Sequence, residues 1–143
     1  MAVKKPLVLG ADGSIEQLQS GDTLDITLPS GSDTILLTMA ESVVMGNIVC
    51  ASSAGIVKAD KDDADKTRVI GFSTESVNVG DPANIKIMNQ MGGLTGLIAG
   101  SSVYLGSAGA LTQTVPTSGH AVRLGVALSS TDLLIEIAQP IRL

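Results

Sequence analysis

Apolar and polar positions change over along this chain in short runs, and Gly, Asp, Ser or Pro interrupts them every few residues. The segments "LDITL", "TILLTM", "NIVCA", "RVIGFS", "NIKIM", "SVYLG", "VRLGVAL" and "LLIEI" are β-branched or alternating, the signature of half-buried strands. Only "TILLTMAESVVMG" could pass for a helix, and Val43-Val44 followed by Gly46 predicts a strand pair there instead. The pattern predicts an all-β fold.

The same pattern occurs twice. With Gly46 laid on Gly100, a gapless shift of 54 residues matches Val49 with Val103, Ser53 with Ser107, Ala54 with Ala108, Gly55 with Gly109 and Gly71 with Gly125. Each copy reads Gly, strand, Ser-Ala-Gly turn, strand, polar loop, then a strand with a Gly inside it. A fainter echo near the start, "VLGADGSI", sets Leu9, Gly10 and Gly13 against Leu105, Gly106 and Gly109. Turn chemistry supplies the reason: Asp12-Gly13, Ala54-Gly55 and Ala108-Gly109 each put Gly where a hairpin needs a positive φ. Gly71 and Gly125, lying within strands, predict bulges or close backbone approach. Two such units, each covering the other's apolar face, predict a compact β-barrel or β-sandwich. The predicted organisation is an extended N-terminal arm over residues 1–9 and a single β-rich domain over 10–143, with the internal repeat at about 46–71 and 100–125.

Composition narrows the core. Among 143 residues there is no Trp, one Phe (Phe72) and one Tyr (Tyr104), so aliphatic side chains must fill the interior. Thin layers of strands suit that better than a deep pocket for a flat ligand. No apolar run reaches the roughly 18 to 20 residues of a membrane-spanning helix, and the apolar run after Lys4 and Lys5 is too short for a secretory signal. One cysteine, Cys50, excludes an internal disulfide and predicts a reducing site of synthesis.

A net charge of -5 argues against a nucleic-acid binder, which needs a cationic face. Asp12, Glu16, Asp22, Asp25, Asp33 and Glu41 face no basic residue between Lys5 and Lys58. Between Lys86 and Arg123 there is no Asp, Glu, Lys or Arg at all, which predicts that much of this interval lies in subunit contacts. Its apolar members Met88, Met91, Leu94 and Leu97 are candidates for partner binding. So are Lys4, Lys5, Pro6, Leu7, Val8 and Leu9, as an arm that docks on a neighbour.

Candidate chemistry is sparse. Asp60, Asp62, Asp63 and Asp65 cluster as calcium ligands do, but the EF-hand glycine and glutamate are missing and Lys58, Lys61, Lys66 and Arg68 interleave, predicting a self-paired solvated loop. His120 is the only histidine, with no distinctive nucleophile motif to serve. "MGGLTGLIAG" has neither a P-loop lysine nor a dinucleotide spacing and reads as a connection between the repeated units. No catalytic residue, cofactor or metal site is predicted, and the chain reads as non-enzymatic.

Two stretches carry a family resemblance. "KKPLVLGADGSIEQLQSGDTLD" is similar to the opening of phage fibre and virion-surface proteins, and the body from "GNIVCASSAGIVKAD" to "LLIEI" resembles the β-rich domain of capsid decoration or fibre proteins of tailed bacteriophages. The resemblance implies a decoration or cement protein, commonly trimeric, that is made in the host cytoplasm and binds the major capsid protein on the outside of the head, reinforcing it. The chain carries no fibre shaft or receptor-binding tip, which favours this over the alternative of a tail-fibre or baseplate module. A glycan-binding module is disfavoured because only Tyr104 could stack on a sugar.

Overall fold

The computed structural model describes residues 7–9, 15–17 and 33–143. The chain divides into two compact units, Met1–Ser32 and Asp33–Leu143. In the first unit, β1 (Leu7–Leu9) pairs antiparallel with β2 (Ile15–Gln17), Leu7 opposite Gln17 and Leu9 opposite Ile15. Leu7, Val8 and Leu9 are therefore extended, but as one strand of a hairpin. Lys4, Lys5 and Pro6 lie outside the described residues, as does Gly13.

The second unit is all-β. Its strands are β3 (Thr34–Thr38), β4 (Ile48–Ser52), β5 (Gly55–Lys58), β6 (Val69–Ser73), β7 (Pro82–Lys86), β8 (Asn89–Met91), β9 (Ser102–Leu105), β10 (Leu111–Thr112), β11 (His120–Ala121), β12 (Arg123–Ala127), β13 (Leu133–Ile135) and β14 (Ile141–Arg142). One 3₁₀ turn, Ala64–Lys66, is capped by the Asp63 carboxylate, which accepts from the Asp65 amide. Two five-stranded antiparallel sheets result, ordered β5-β4-β6-β7-β3 and β10-β9-β12-β13-β8, with β11 and β14 as a separate pair. Each place in the first order is filled in the second by the strand at the corresponding point of the chain.

The agreement reaches single hydrogen bonds. In the first sheet Val49 stands opposite Gly71 and Cys50 opposite Val69, so Ile70 is an extra residue; in the second Val103 stands opposite Gly125 and Tyr104 opposite Arg123, so Leu124 is extra. The Gly46 amide donates to the Ser73 carbonyl and the Gly100 amide to the Ala127 carbonyl, at 2.8 and 2.7 Å. The two hairpins differ, however. Ser52 pairs with Gly55 across a two-residue turn, whereas Leu105 pairs with Leu111 across a five-residue loop. Gly55 and Gly109 both have positive φ, at 110° and 80°.

Neither sheet closes into a barrel. Five strands leave two edges, and in the first sheet these approach only at one bridge, where Met39, just past β3, meets Ile56 of β5. Strand alternation then fixes the core. Ile48, Cys50, Val57 and Phe72, on one face of the first sheet, share a core with Val103, Leu105, Leu124, Leu133 and Ile135 of the second. Val49, Ala83 and Ile85, on the opposite face of the first sheet, pack with Met39 and Val43 in a smaller cluster. The first sheet is thus apolar on both faces, which is why "NIVCA" does not alternate. Each fully buried aliphatic side chain here contributes about 1.5–3 kcal/mol.

The two sheets are also clipped through backbone. Gly109, in the β9–β10 loop, accepts from the Ile48 amide at 2.9 Å and donates to the Ala59 carbonyl, while the Lys61 amide donates to the Gly106 carbonyl. The Ser-Ala-Gly turn of the second repeat is therefore a strut against the first.

Candidate functional site

Burial divides the apolar partner-binding candidates. Met91 ends β8 facing inward and is 3% exposed, and Leu94 and Leu97 fold over the same core. These three side chains stabilise the chain's own interior and present no surface to a partner; only Met88, 47% exposed, faces outward. Val103, Leu105 and Val122 of the uncharged interval are also fully buried, but its segments 88–90, 92–93, 95–96 and 98–100 are exposed, so burial accounts for only part of its lack of charge.

A pair of residues not singled out in the sequence stands out instead. Val44 and Ile98 occupy equivalent positions in the two repeats, each directly follows a buried residue (Val43, Leu97), and they are 58% and 66% exposed. Both sit at the start of a turn: the Asn47 amide donates to the Val44 carbonyl and the Ser101 amide to the Ile98 carbonyl. Gly46 and Gly100 make these turns possible with φ of 91° and 84°. A side-chain amide then pins each tip. The Val44 N–H donates to Asn47 Oδ1 at 2.9 Å, and the Ile98 N–H donates to Gln113 Oε1 at 2.8 Å while Gln113 Nε2 donates back to the Ile98 carbonyl. Two different residues thus do the same work, holding an exposed aliphatic side chain on a rigid turn. The signal was available in the sequence, since the 54-residue shift carries Val43-Val44 onto Leu97-Ile98.

The aspartates of the charged loop are engaged locally. Asp62 takes Lys61 Nζ at 2.8 Å and the Ser107 hydroxyl at 2.9 Å, and these bonds hold its carboxyl below the ordinary 3.8. Asp65 accepts from the Ser53 hydroxyl at 2.6 Å and from its amide, with the same effect. Asp63 pairs with Lys66, and Asp60 accepts from the Asp62 amide. Asp33, bonded to Lys86 at 2.7 Å and to Asn89, is likewise lowered and ties the start of β3 to the β7–β8 region. Every one of these groups acts as a loop fastener.

Cys50 is fully buried, and burial pushes its thiol up to about 11, leaving it without thiolate character. His120 Nδ1 lies 3.0 Å from the Lys61 carbonyl, which can only accept, so that nitrogen carries the proton. No helix among the described residues is long and apolar enough to cross a membrane. Comparison with protein-family models and with curated proteins gives no match.

Proposed function

We propose that the chain is a non-enzymatic structural protein of a tailed-phage virion, a capsid decoration protein that binds the outside of the head and bridges capsid subunits. The observation that carries this reading is the duplication of Val44 and Ile98, exposed aliphatic residues on equivalent pinned turns of a repeated β-framework. Exposed apolar side chains scattered singly are ordinary on a protein surface. The same exposure at the same turn of two repeats, held by different side chains, is better accounted for by a shared task. The resemblance of "GNIVCASSAGIVKAD" and its repeat to virion-surface β-domains supplies the setting.

A capsid offers one surface many times over, and a chain with two similar contact points matches it twice. Assembly into a trimer multiplies the contacts again. Linked contacts raise avidity by roughly 10²- to 10⁴-fold over a single one, so each need bury little surface. The major capsid protein is the proposed partner and the virion surface the proposed location.

Native mass measurement and cosedimentation with purified capsids test the reading together. An oligomer that saturates capsids at a fixed stoichiometry is the expected result. A monomer that stays in the supernatant would overturn it, and binding only to isolated tails would transfer the protein to the fibre or baseplate.

A further inference from the structure

A distinct site emerges from the positions of the cations. Among the described residues Lys58, Lys61, Lys66, Lys86 and Arg123 each form an ion pair, with Glu41, Asp62, Asp63, Asp33 and Glu136 respectively. Arg68 and Arg142 form none, and both line the same cleft of about 750 Å³ together with His120, the only histidine. No Asp or Glu lines that cleft, although the chain carries a net charge of -5.

The fold brings these groups together for definite reasons. The β11–β14 pairing sets Arg142 directly opposite His120, and the Leu143 amide donates to the Gly119 carbonyl just beyond it. Arg68 leaves the 3₁₀ turn immediately before β6. The nearby carboxylates are occupied elsewhere: Asp62 by Lys61 and Ser107, Asp63 by Lys66, and Asp65, whose titration Arg68 influences only from a distance, by Ser53. With His120 Nδ1 donating to the Lys61 carbonyl, Nε2 is the ring position left for a ligand. Val69, Ile137 and Pro140 contribute aliphatic surface to the wall.

We infer that the cleft between Arg68 and Arg142 binds a small organic anion, a carboxylate or phosphate group on a body about the size of a saccharide. Guanidinium forks match both acids in geometry, and an unpaired guanidinium has no internal carboxylate to give up on binding. The volume falls within the range of small-molecule sites, about 300–1,000 Å³, and exceeds what an inorganic ion needs. This inference does not rest on the virion reading.

Calorimetric titration of the full chain at low salt tests it with four probes: glucuronate, glucose 6-phosphate, glucose and inorganic phosphate. Glucuronate and glucose 6-phosphate are expected to bind with Kd in the millimolar range or tighter, and glucose not at all. The double variant Arg68→Gln/Arg142→Gln should weaken both at least tenfold with an unchanged thermal midpoint, because both arginines are exposed. Lys58→Gln, whose side chain lines a different groove, should leave them unchanged. Absence of binding by both anions up to about 10 mM, or equal binding by the double variant, would overturn the site. Inorganic phosphate binding as tightly as the organic anions would overturn the recognition of a body.

Discussion

Gly71 and Gly125 occupy the same position in the two sheets, and each lies against a backbone carbonyl of the next strand. A Cβ on Gly71 would come 2.1 Å from the Lys86 oxygen, and one on Gly125 would come 1.9 Å from the Leu134 oxygen. Both distances are far inside van der Waals contact, and the obstacle is sheet backbone, which cannot swing aside. Gly71→Ala and Gly125→Ala are each expected to destabilise the protein by on the order of 3 kcal/mol, at the upper end of overpacking costs. Urea melts should show the loss as a lower midpoint with an unchanged slope. A shift below the equivalent of ~0.5 kcal/mol in either variant would mean the strand pairing relaxes freely there.

Gly109 and Gly80 separate two costs that usually occur together. Both have positive φ, at 80° and 89°, but a Cβ on Gly80 meets nothing within 4 Å, whereas one on Gly109 meets the Lys58 side chain at 3.0 Å. Gly80→Ala should therefore cost only the left-handed backbone penalty, about 1–2 kcal/mol. Gly109→Ala should cost more, because yielding to Lys58 displaces the loop that accepts from Ile48 and donates to Ala59. Hydrogen exchange gives an independent check: the Ile48 amide should lose protection in Gly109→Ala and keep it in Gly80→Ala.

The repeat was legible in the sequence because its markers are glycines whose geometry no other residue supplies, at the turns and at the bulges. The all-β class was legible from short alternating runs. Strand order was not, since it depends on pairings between distant residues; of the expected barrel or sandwich only the barrel is excluded, because nothing local in "TILLTM" says whether β3 will close against β5 or stop at a single bridge. Met91, Leu94 and Leu97 belong to the core although the sequence also suits them to partner contacts, because an uncharged apolar interval looks the same whether it faces a neighbour or the chain's own core. The exposure of Val44 and Ile98 is hidden in the sequence for the converse reason. Beside Val43 and Leu97 they look like core residues, and only the turns at Gly46 and Gly100 direct them outward.

Acid should loosen the protein through its loop fasteners. Hydrogen bonds from Lys86, Lys61 and Ser53 lower Asp33, Asp62 and Asp65 respectively below the ordinary 3.8. A carboxyl with a depressed folded-state pKa binds its proton more readily when unfolded, so its stabilisation is present above the unfolded value and lost as pH falls through the folded one. The thermal midpoint is expected to be insensitive to these groups from pH 7 to about 5 and to drop below about pH 4. Asp65→Asn should flatten part of that drop. Ser53→Ala, which removes the hydroxyl donor while keeping the carboxylate, should do so as well. A full acid transition in both variants would assign the effect to other groups.

The duplicated tips allow stability and binding to be separated. Val44 and Ile98 are exposed, so Val44→Asp and Ile98→Asp should each leave the unfolding midpoint within about 0.5 kcal/mol of the parent, as surface changes do. Met91→Asp, by contrast, places a charge among Leu133, Ile135 and Leu97 and should unfold the chain. If the two turns act as linked contacts on a repeating capsid surface, either exposed substitution alone should weaken capsid binding at least tenfold, and the pair should abolish cosedimentation, because avidity multiplies the separate contributions. Asn47→Ala supplies a subtler test. It frees the Val44 amide from its side-chain partner without removing the apolar tip, so a rigid turn predicts weaker binding with the contact residue intact. Undiminished binding by the folded Val44→Asp/Ile98→Asp protein would remove these turns from the interface, whatever else the chain attaches to.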